Sequence, residues 1–480
     1  MRRGAAGHRF CLHQKDFELS DSAESKTTLA GELGATLEAK AGREKFLDRV
    51  FGISARGSSV RVEVFAGATT FLTAAYLAVV IPNNLSTGGM DRAAATTATL
   101  VFFGLGTLGM AFYAKLPFVV GPGIGGSVLV ATTLALSEGV PWQTGMAIAF
   151  WSGVLFLVLT LLGMREVVAR IVPAPIKMGL SAALGGFIAM LGFRNAGLVI
   201  ANARVNALTL GNFAAPGAVI ALAGLALAVA LHYHKVRGGI LVAMLAATVL
   251  GVPLGVTSLP ASYWGLPHSI AAVTFKLNFL QALRPAFFPY LFAFFSAEFF
   301  STMGTTLAVG DKAGLLDDHG NMPGINGPFV VDSCSATIGP LFGVPSMTAL
   351  IESAAGVEAG GRTGLTGVVT ALLFLATLFV APVILMIPKE ATAPALILVG
   401  ISMFANIRRI ELDKFTDGVP AVLMVLMTLF SNNFGTGIAA GILSYVIIQV
   451  LAGKGRSVSW GLYLLTLPLL YFFWTIATKH

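Results

Sequence analysis

Apolar runs of membrane-crossing length follow one another along almost the whole chain, separated by short polar turns. They fall at roughly 64–81, 93–114, 121–136, 142–162, 176–193, 216–232 and 239–256. After a polar, Pro-containing connection over 257–286 they resume at 287–309, 326–341, 346–358, 363–387, 391–405, 415–430 and 434–451. A spanning helix needs about 20 apolar residues, so the pattern predicts an all-α polytopic membrane protein with seven segments in each half. The third and tenth segments are short and broken: one opens Gly121-Pro122-Gly123-Ile124-Gly125-Gly126-Ser127, the other Gly343-Val344-Pro345-Ser346. Irregular backbone at membrane depth is tolerated only where it is buried in protein or lines a cavity. Seven is odd, so two repeats of seven must be inverted, and broken segments in corresponding positions point to a transporter's midplane site. A further apolar stretch, 459–477, carries Trp460, Tyr463, Tyr471 and Trp474. It reads either as a fifteenth span or as an interfacial helix.

Composition agrees with this pattern. The chain of 480 residues is 56% hydrophobic and 11% charged, with a mean hydropathy of +0.81, whereas an average soluble domain is about a quarter charged. The 55 glycines suit close helix–helix contact in a bilayer. A net charge of +8 suggests a nucleic-acid partner in a soluble protein, but here it reflects Lys and Arg gathered in cytoplasmic loops. With the N-terminus inside, 15 Lys and Arg fall in predicted inside loops, among them Lys177, Lys312, Arg362, Arg408 and Arg409, against six outside. The expected location is a plasma membrane or bacterial inner membrane, multi-pass, with a cytoplasmic N-terminus. Residues 1–45 are polar, mixed in charge and lack a signal-peptide core, and are expected to form a disordered cytoplasmic tail. Asp16, Glu18, Asp21 and Glu24 speak against a transit peptide. Cys11 and Cys334 make neither a disulfide framework nor a metal site. No cofactor is expected, and no P-loop, nucleophile elbow or dinucleotide fingerprint occurs, so the chain reads as a non-enzyme.

Carboxylates inside apolar spans carry the functional signal, because an ionisable residue at membrane depth is costly and usually functional. Glu298 lies mid-span. Ser301, Thr302 and Thr305 follow it at helical i+3, i+4 and i+7 spacing and make one polar stripe. Glu352 lies in the tenth segment, where Ser346, Thr348, Ser353 and the amides of two facing half-helices are expected around it. Such a site suits a flat heterocycle with alternating donors and acceptors, with Phe295, Phe299 or another nearby ring stacked on it. Two carboxylates in one dry pocket do not both ionise comfortably, so the pair is a candidate proton-coupling device. Asp332 reads as a cytoplasmic-side helix-start residue. Asp311, Lys312, Glu358 and Arg362 read as boundary or gating pairs.

At these residues the chain resembles a known family. Ile351-Glu352-Ser353-Ala354-Ala355-Gly356-Val357, followed by Ala359-Gly360-Gly361-Arg362-Thr363-Gly364, is similar to the signature of AzgA-like purine permeases of the nucleobase–cation symporter-2 superfamily. Supporting matches are Ala66-Gly67-Ala68-Thr69-Thr70, Lys312-Ala313-Gly314-Leu315-Leu316-Asp317 and Ala391-Thr392-Ala393-Pro394-Ala395-Leu396, and the likeness runs over about 46–475. It implies 14 transmembrane segments in a 7+7 inverted repeat, with short strands and half-helices in segments 3 and 10. A core domain would comprise 46–175 and 287–390, and a gate domain 176–286 and 391–480. It also implies proton-coupled uptake of adenine, guanine or hypoxanthine by an elevator movement, and a homodimer joined through the gate domains. The substrate-binding set is then Glu352, Glu298, Ser127, Gly126, Ile351, Thr302, Ser301, Phe299 and Ser353, with Glu298 and Glu352 also coupling the proton. Two departures bear on the substrate. Asp-Met-Phe-Asp-Thr of the family becomes Glu298-Phe299-Phe300-Ser301-Thr302, and Gly-Leu-Asn becomes Gly125-Gly126-Ser127. Xanthine, urate, uracil, an oxidised or larger purine, or an organic anion are the alternatives within the architecture; a channel or a substrate-sensing receptor is the alternative of another class.

Overall fold

The computed structural model describes residues 46–164, 171–202, 207–317 and 322–477; the expected tail over 1–45 lies outside them. The described residues up to Val60 belong to one unit and those from Arg61 onward to another. Within the first, a helical turn over 46–51 is followed by the 3-10 turn Ser54–Arg56, and the Asp48 carboxylate accepts from the Ser54 amide at 2.6 Å.

Each apolar segment read from the sequence meets a helical element. The first is split: α1 (Val60–Ala74) and α2 (Leu77–Thr87) are separated at Ala75 and Tyr76, about two turns before Pro82, which has no N–H to donate to Ala78. α3 (Arg92–Gly109) starts on an Asp91 side chain that accepts from the Ala94 amide at 2.7 Å, a standard N-cap. The third segment is β1 (Val120–Pro122), then α4 (Ile124–Val128), which widens into a π-helix over Leu129–Ser137. α5 (Trp142–Leu161), α6 (Ala174–Asn195), α7 (Pro216–Tyr233) and α8 (Gly239–Gly251) complete the first half. In the second half α9 (Phe288–Lys312) and α10 (Asn326–Leu341) precede the tenth segment, which is β4 (Met347–Ala349) then α11 (Ser353–Glu358). α12 (Gly364–Thr377), α13 (Ala381–Met386), α14 (Lys389–Phe404), α15 (Phe415–Ser431), α16 (Phe434–Leu451) and α17 (Trp460–Ala477) follow. Among the described residues nine helices are long and apolar enough to cross a membrane; shorter apolar helices include Gly239–Gly251 and Phe415–Ser431.

One element escaped the hydropathy reading. β2 (Val199–Asn202) pairs antiparallel with β3 (Ala207–Leu210) between α6 and α7. The stretch is too polar to register as a span, while its β-branched Val199, Ile200 and Thr209 suit a hairpin.

Strands β1 and β4 bring the two broken segments together. They pair antiparallel, Val120 opposite Ala349, Gly121 opposite Thr348 and Pro122 opposite Met347, and the Gly123 amide extends the ladder to the Ser346 carbonyl at 3.1 Å. Gly121 is required here, since a Cβ on it would lie 2.0 Å from the Phe103 ring. A second close contact joins α6 to α14: a Cβ on Gly185 would stand 2.6 Å from the Gly400 carbonyl oxygen, and one on Gly400 the same 2.6 Å from that of Gly185. Small residues that let backbones touch are the usual glue of membrane helices. Packing falls into two groups. α6, α7, α8, α14, α15 and α16 lie mainly against one another, whereas α5 packs on α9 and α10, and α3 on α2 and α12.

Glu63 supplies a third join. It is fully buried on α1 and accepts from the amides of Arg362 and Thr363 at 3.0 and 3.2 Å and from the Thr366 hydroxyl at 2.6 Å. It caps the start of α12 from another helix, satisfying amides that a helix N-terminus leaves unpaired.

Candidate functional site

A cavity of about 520 Å³ lies where the broken segments meet α9 and α6. Residues Gly123 to Gly126 at the start of α4, and Leu350, Ile351 and Glu352 at the start of α11, line it, so two helix N-termini face the same space. Ser346, also in the wall, adopts φ +42°, a left-handed conformation that a serine holds only where its surroundings impose it.

Both predicted carboxylates line this cavity. Glu298 is 1% exposed. The Ser152 hydroxyl of α5 donates to its Oε2 at 3.2 Å. Ser346 lies near the carboxyl, yet Oε1 has no hydrogen-bond partner of good geometry among the described residues. Glu352 stands at the N-cap position of α11 without capping it. Its Oε1 accepts the Tyr76 phenol at 2.8 Å, and the carboxylate also faces the amide of its own residue. A buried carboxylate oxygen without a donor is unfavourable by about 1–3 kcal/mol or more. The arrangement leaves one acceptor on the Glu298 side open to a further hydrogen-bond donor.

The polar stripe on α9 divides. Ser301 and Thr305 line the cavity with Glu298. Thr302 turns behind the wall, where its hydroxyl donates to Asp332 Oδ2 at 2.8 Å. Phe299 is not in the wall either: its ring packs edge-on against Phe156 and Phe329 at 5.7 and 5.8 Å. Its neighbour Phe300 is in the wall instead, with the Lys177 ammonium 4.9 Å from the ring centre, alongside the rings of Tyr76 and Phe434. One residue on a helix is a rotation of about 100°, and when both faces are apolar the sequence pattern does not say which meets the cavity. Gly126 and Ile351 are in the wall. Ser127 and Ser353 are one layer back. Ser127 donates to the Ile124 carbonyl at 2.8 Å and lies 3.3 Å from the Asn84 amide nitrogen. Ser353 accepts from the Val119 amide at 3.0 Å and donates to the Leu350 carbonyl at 2.6 Å. These two hydroxyls brace the half-helices that carry the wall.

Asp332 is not a helix-start residue: it sits seven residues into α10, fully buried. Its Oδ2 accepts from the Ala349 amide at 2.7 Å, from Thr302, and from the Thr348 hydroxyl at 3.4 Å. It thus ties α9, α10 and β4 into one corner. Tyr76 and Ser152 were missed by sequence reasoning. Tyr76 carried a usable signal, a polar-tipped ring inside an apolar run, which needs a partner when buried. Of the boundary residues, Lys312 and Glu358 form an exposed ion pair at 2.5 Å, and the Arg362 guanidinium donates to the Val357 and Gly361 carbonyls at 2.6 and 2.8 Å. Among the described residues no three His, Cys, Asp or Glu side chains are grouped to hold a metal ion.

Similarity to known proteins can be set beside this geometry. The chain is 34% identical over 413 residues to the adenine permease AdeQ of Escherichia coli K12, covering 86% of this chain and 93% of that one. It is 33% identical over 416 residues to the guanine/hypoxanthine permease PbuO of Bacillus subtilis 168, covering 85% and 96%. Among solved structures, the transmembrane domain of the cyanobacterial bicarbonate transporter BicA superposes with a TM-score of 0.59 at 15% identity, over 82% of this chain and 97% of that one. The murine anion transporter Slc26a9 in its inward-facing state gives 0.60 at 12% identity, over 85% and 72%. At such identity these two establish the fold alone. Residues 61–447 match the Permease family profile of xanthine and uracil permeases, and with these relatives the chain belongs to that family of multi-pass membrane transporters, as an AzgA-like member of the nucleobase–cation symporter-2 superfamily.

Proposed function

We propose that the chain carries purine nucleobases (adenine, guanine or hypoxanthine) across the membrane together with protons, binding them in the cavity beside Glu298 and Glu352. The observation that carries this reading is the pair of carboxylates lining one cavity, one of them buried with an oxygen that has no hydrogen-bond partner of good geometry among the described residues. A purine offers N–H groups on both of its rings, and backbone amides at the two half-helix starts can donate to its carbonyl or ring nitrogens. Relatives named as adenine and guanine/hypoxanthine permeases support the substrate class. The two structural neighbours are named for bicarbonate and anion transport, but two acidic side chains in the wall repel an anion, so an organic-anion substrate fits less well.

Coupling follows from the same pair: when an N–H donor binds one carboxylate, the other is best neutralised by a proton. The division of the helices into two packing groups suits a core (46–175 and 287–390) that slides against a gate (176–286 and 391–480). The cavity reaches Lys177, in the first turn of α6, and Arg409, at the end of the 3-10 turn Ala405–Arg409; both count toward the positive-inside signature, which fits a cavity open to the cytoplasm and a cytoplasmic N-terminus. Dimerisation through the gate belongs to the same reading.

Uptake of radiolabelled purines into proteoliposomes tests it. Adenine, guanine or hypoxanthine should accumulate saturably, and faster under an imposed inward proton gradient. Glu352→Gln should abolish saturable uptake while leaving folded protein. Equal uptake with and without the gradient would remove the proton coupling, and normal uptake by Glu352→Gln would remove the site.

A further inference from the structure

We propose that Tyr76 sets which purine edge the site accepts, by occupying one of the two oxygens of Glu352. The inference rests on the purine reading above and adds a specificity-determining residue to it. Tyr76 stands at the break between α1 and α2, 2% exposed, and lines the cavity with Glu352. Its phenol reaches Glu352 Oε1 at 2.8 Å. A phenol has one proton to give, and here it goes to the carboxylate.

The consequence lies in how a carboxylate reads a base. With both oxygens free it accepts two parallel N–H donors, the bidentate geometry that makes such pairs strong. Guanine presents that pair on one edge, from its ring N1–H and its exocyclic amino group. Hypoxanthine presents the same N1–H beside a C–H, and adenine has no ring N–H next to its amino group. With one lone pair of Oε1 already taken by the Tyr76 phenol, a second donor at that oxygen competes with the phenol for position and charge, so the second donor of guanine gains less than it would at a free oxygen. Glu298 Oε1, which has Ser346 nearby but no hydrogen-bond partner of good geometry among the described residues, is left to take an N–H from another part of the ring system. The wild-type cavity therefore offers a weakened second acceptor on Glu352 and a separate acceptor on Glu298.

Removing the phenol changes this in a definite direction. In Tyr76→Phe the ring packing is kept while Oε1 loses its donor. A base with paired donors satisfies both oxygens, whereas a base with one donor leaves Oε1 bare, and unpaired buried groups are what discriminate against a ligand lacking the matching donor.

The test is KM and Vmax of guanine and hypoxanthine uptake in wild type and in Tyr76→Phe, with binding to detergent-purified protein followed in parallel by thermal shift. In wild type guanine should show no advantage over hypoxanthine. In Tyr76→Phe the guanine-to-hypoxanthine ratio of Vmax/KM should rise about tenfold, the equivalent of about 1.4 kcal/mol, through KM. A parallel loss for both purines would mean that Tyr76 only packs, and an unchanged ratio would mean that Glu352 does not read this edge. Either result overturns the proposal, as does a wild type that already prefers guanine more than about tenfold. Should the variant lose transport, the thermal-shift ratio carries the same prediction. If wild type takes up neither guanine nor hypoxanthine, the role of Tyr76 in reading this edge fails, and the functional reading fails with it only when adenine is not taken up either; if wild type takes up both and the ratio stays fixed, only the role of Tyr76 fails.

Discussion

Replacing Asp332 separates a structural brace from a second proton site. Asp332 is fully buried, and its Oδ2 collects the Ala349 amide at 2.7 Å and the Thr302 hydroxyl at 2.8 Å. In Asp332→Ala these donors do not suffer equally. The Thr302 and Thr348 hydroxyls are 2.9 Å apart, so Thr302 can donate to Thr348, whose own proton has the Ala349 carbonyl within 3.5 Å. The Ala349 amide belongs to a three-residue strand and loses its acceptor outright. One orphaned buried amide costs about 1–3 kcal/mol, and the void left by the carboxyl adds to it, so about 2–4 kcal/mol is expected in all. Asp332→Asn keeps an oxygen for Ala349 and an amino group that a reoriented hydroxyl can accept from, so only the charge-assisted part is lost, about 1 kcal/mol. Thermal unfolding in detergent should rank wild type, Asn and Ala in that order. KM should follow the same order, because β4 holds the Glu352 segment in place. Under a brace role, Asp332→Asn still responds to an imposed proton gradient. The reasoning is refuted if Asp332→Ala melts with wild type. It is also refuted if Asp332→Asn binds purine normally yet no longer responds to the gradient, since Asp332 would then carry the proton.

Two further outcomes follow from contacts outside the cavity. Glu63→Ala strips acceptors from the Arg362 and Thr363 amides and the Thr366 hydroxyl; it should lower the melting temperature and yield more than any single cavity variant, and wild-type thermal unfolding would show that α12 does not need this cap. Asn433 donates to the Glu138 carboxylate and, at 3.0 Å, to the Tyr290 hydroxyl, linking the start of α16 to the end of the third segment beside a crevice of about 440 Å³ that Thr132 lines. Asn433→Ala should loosen this side and speed labelling of Thr132→Cys by an impermeant thiol reagent, in a background without Cys11 and Cys334; an unchanged labelling rate would mean that the contact does not hold the crevice shut.

How far the sequence could be read depends on the cost of each feature. Spans were legible because lipid forbids anything else: the segments expected at 176–193 and 434–451 are Ala174–Asn195 and Phe434–Leu451. The broken third and tenth segments were legible for the same reason, since only a buried or cavity-lining place tolerates Gly121-Pro122-Gly123 or Val344-Pro345-Ser346 at that depth. Their pairing as antiparallel strands was not readable from hydropathy, which carries no register. Glu298 and Glu352 stood out because a carboxylate in an apolar span is too costly to persist without a role. Neutral polar groups carry no such premium. A tyrosine or serine buried in a span costs little once it finds one partner, and that partner can be anywhere: Tyr76 meets Glu352 across 276 positions and Ser152 meets Glu298 across 146. Asp332 shows the boundary between the two cases. Its charge marked it as unusual, yet without the fold nothing distinguished a helix-start acid from one holding a strand. Hydropathy thus finds the groups that would be intolerable elsewhere, while the neutral residues that decide what those groups can do emerge only when distant segments are brought together. Substrate choice in this cavity should accordingly be set less by the two acids than by the hydroxyl donors on them.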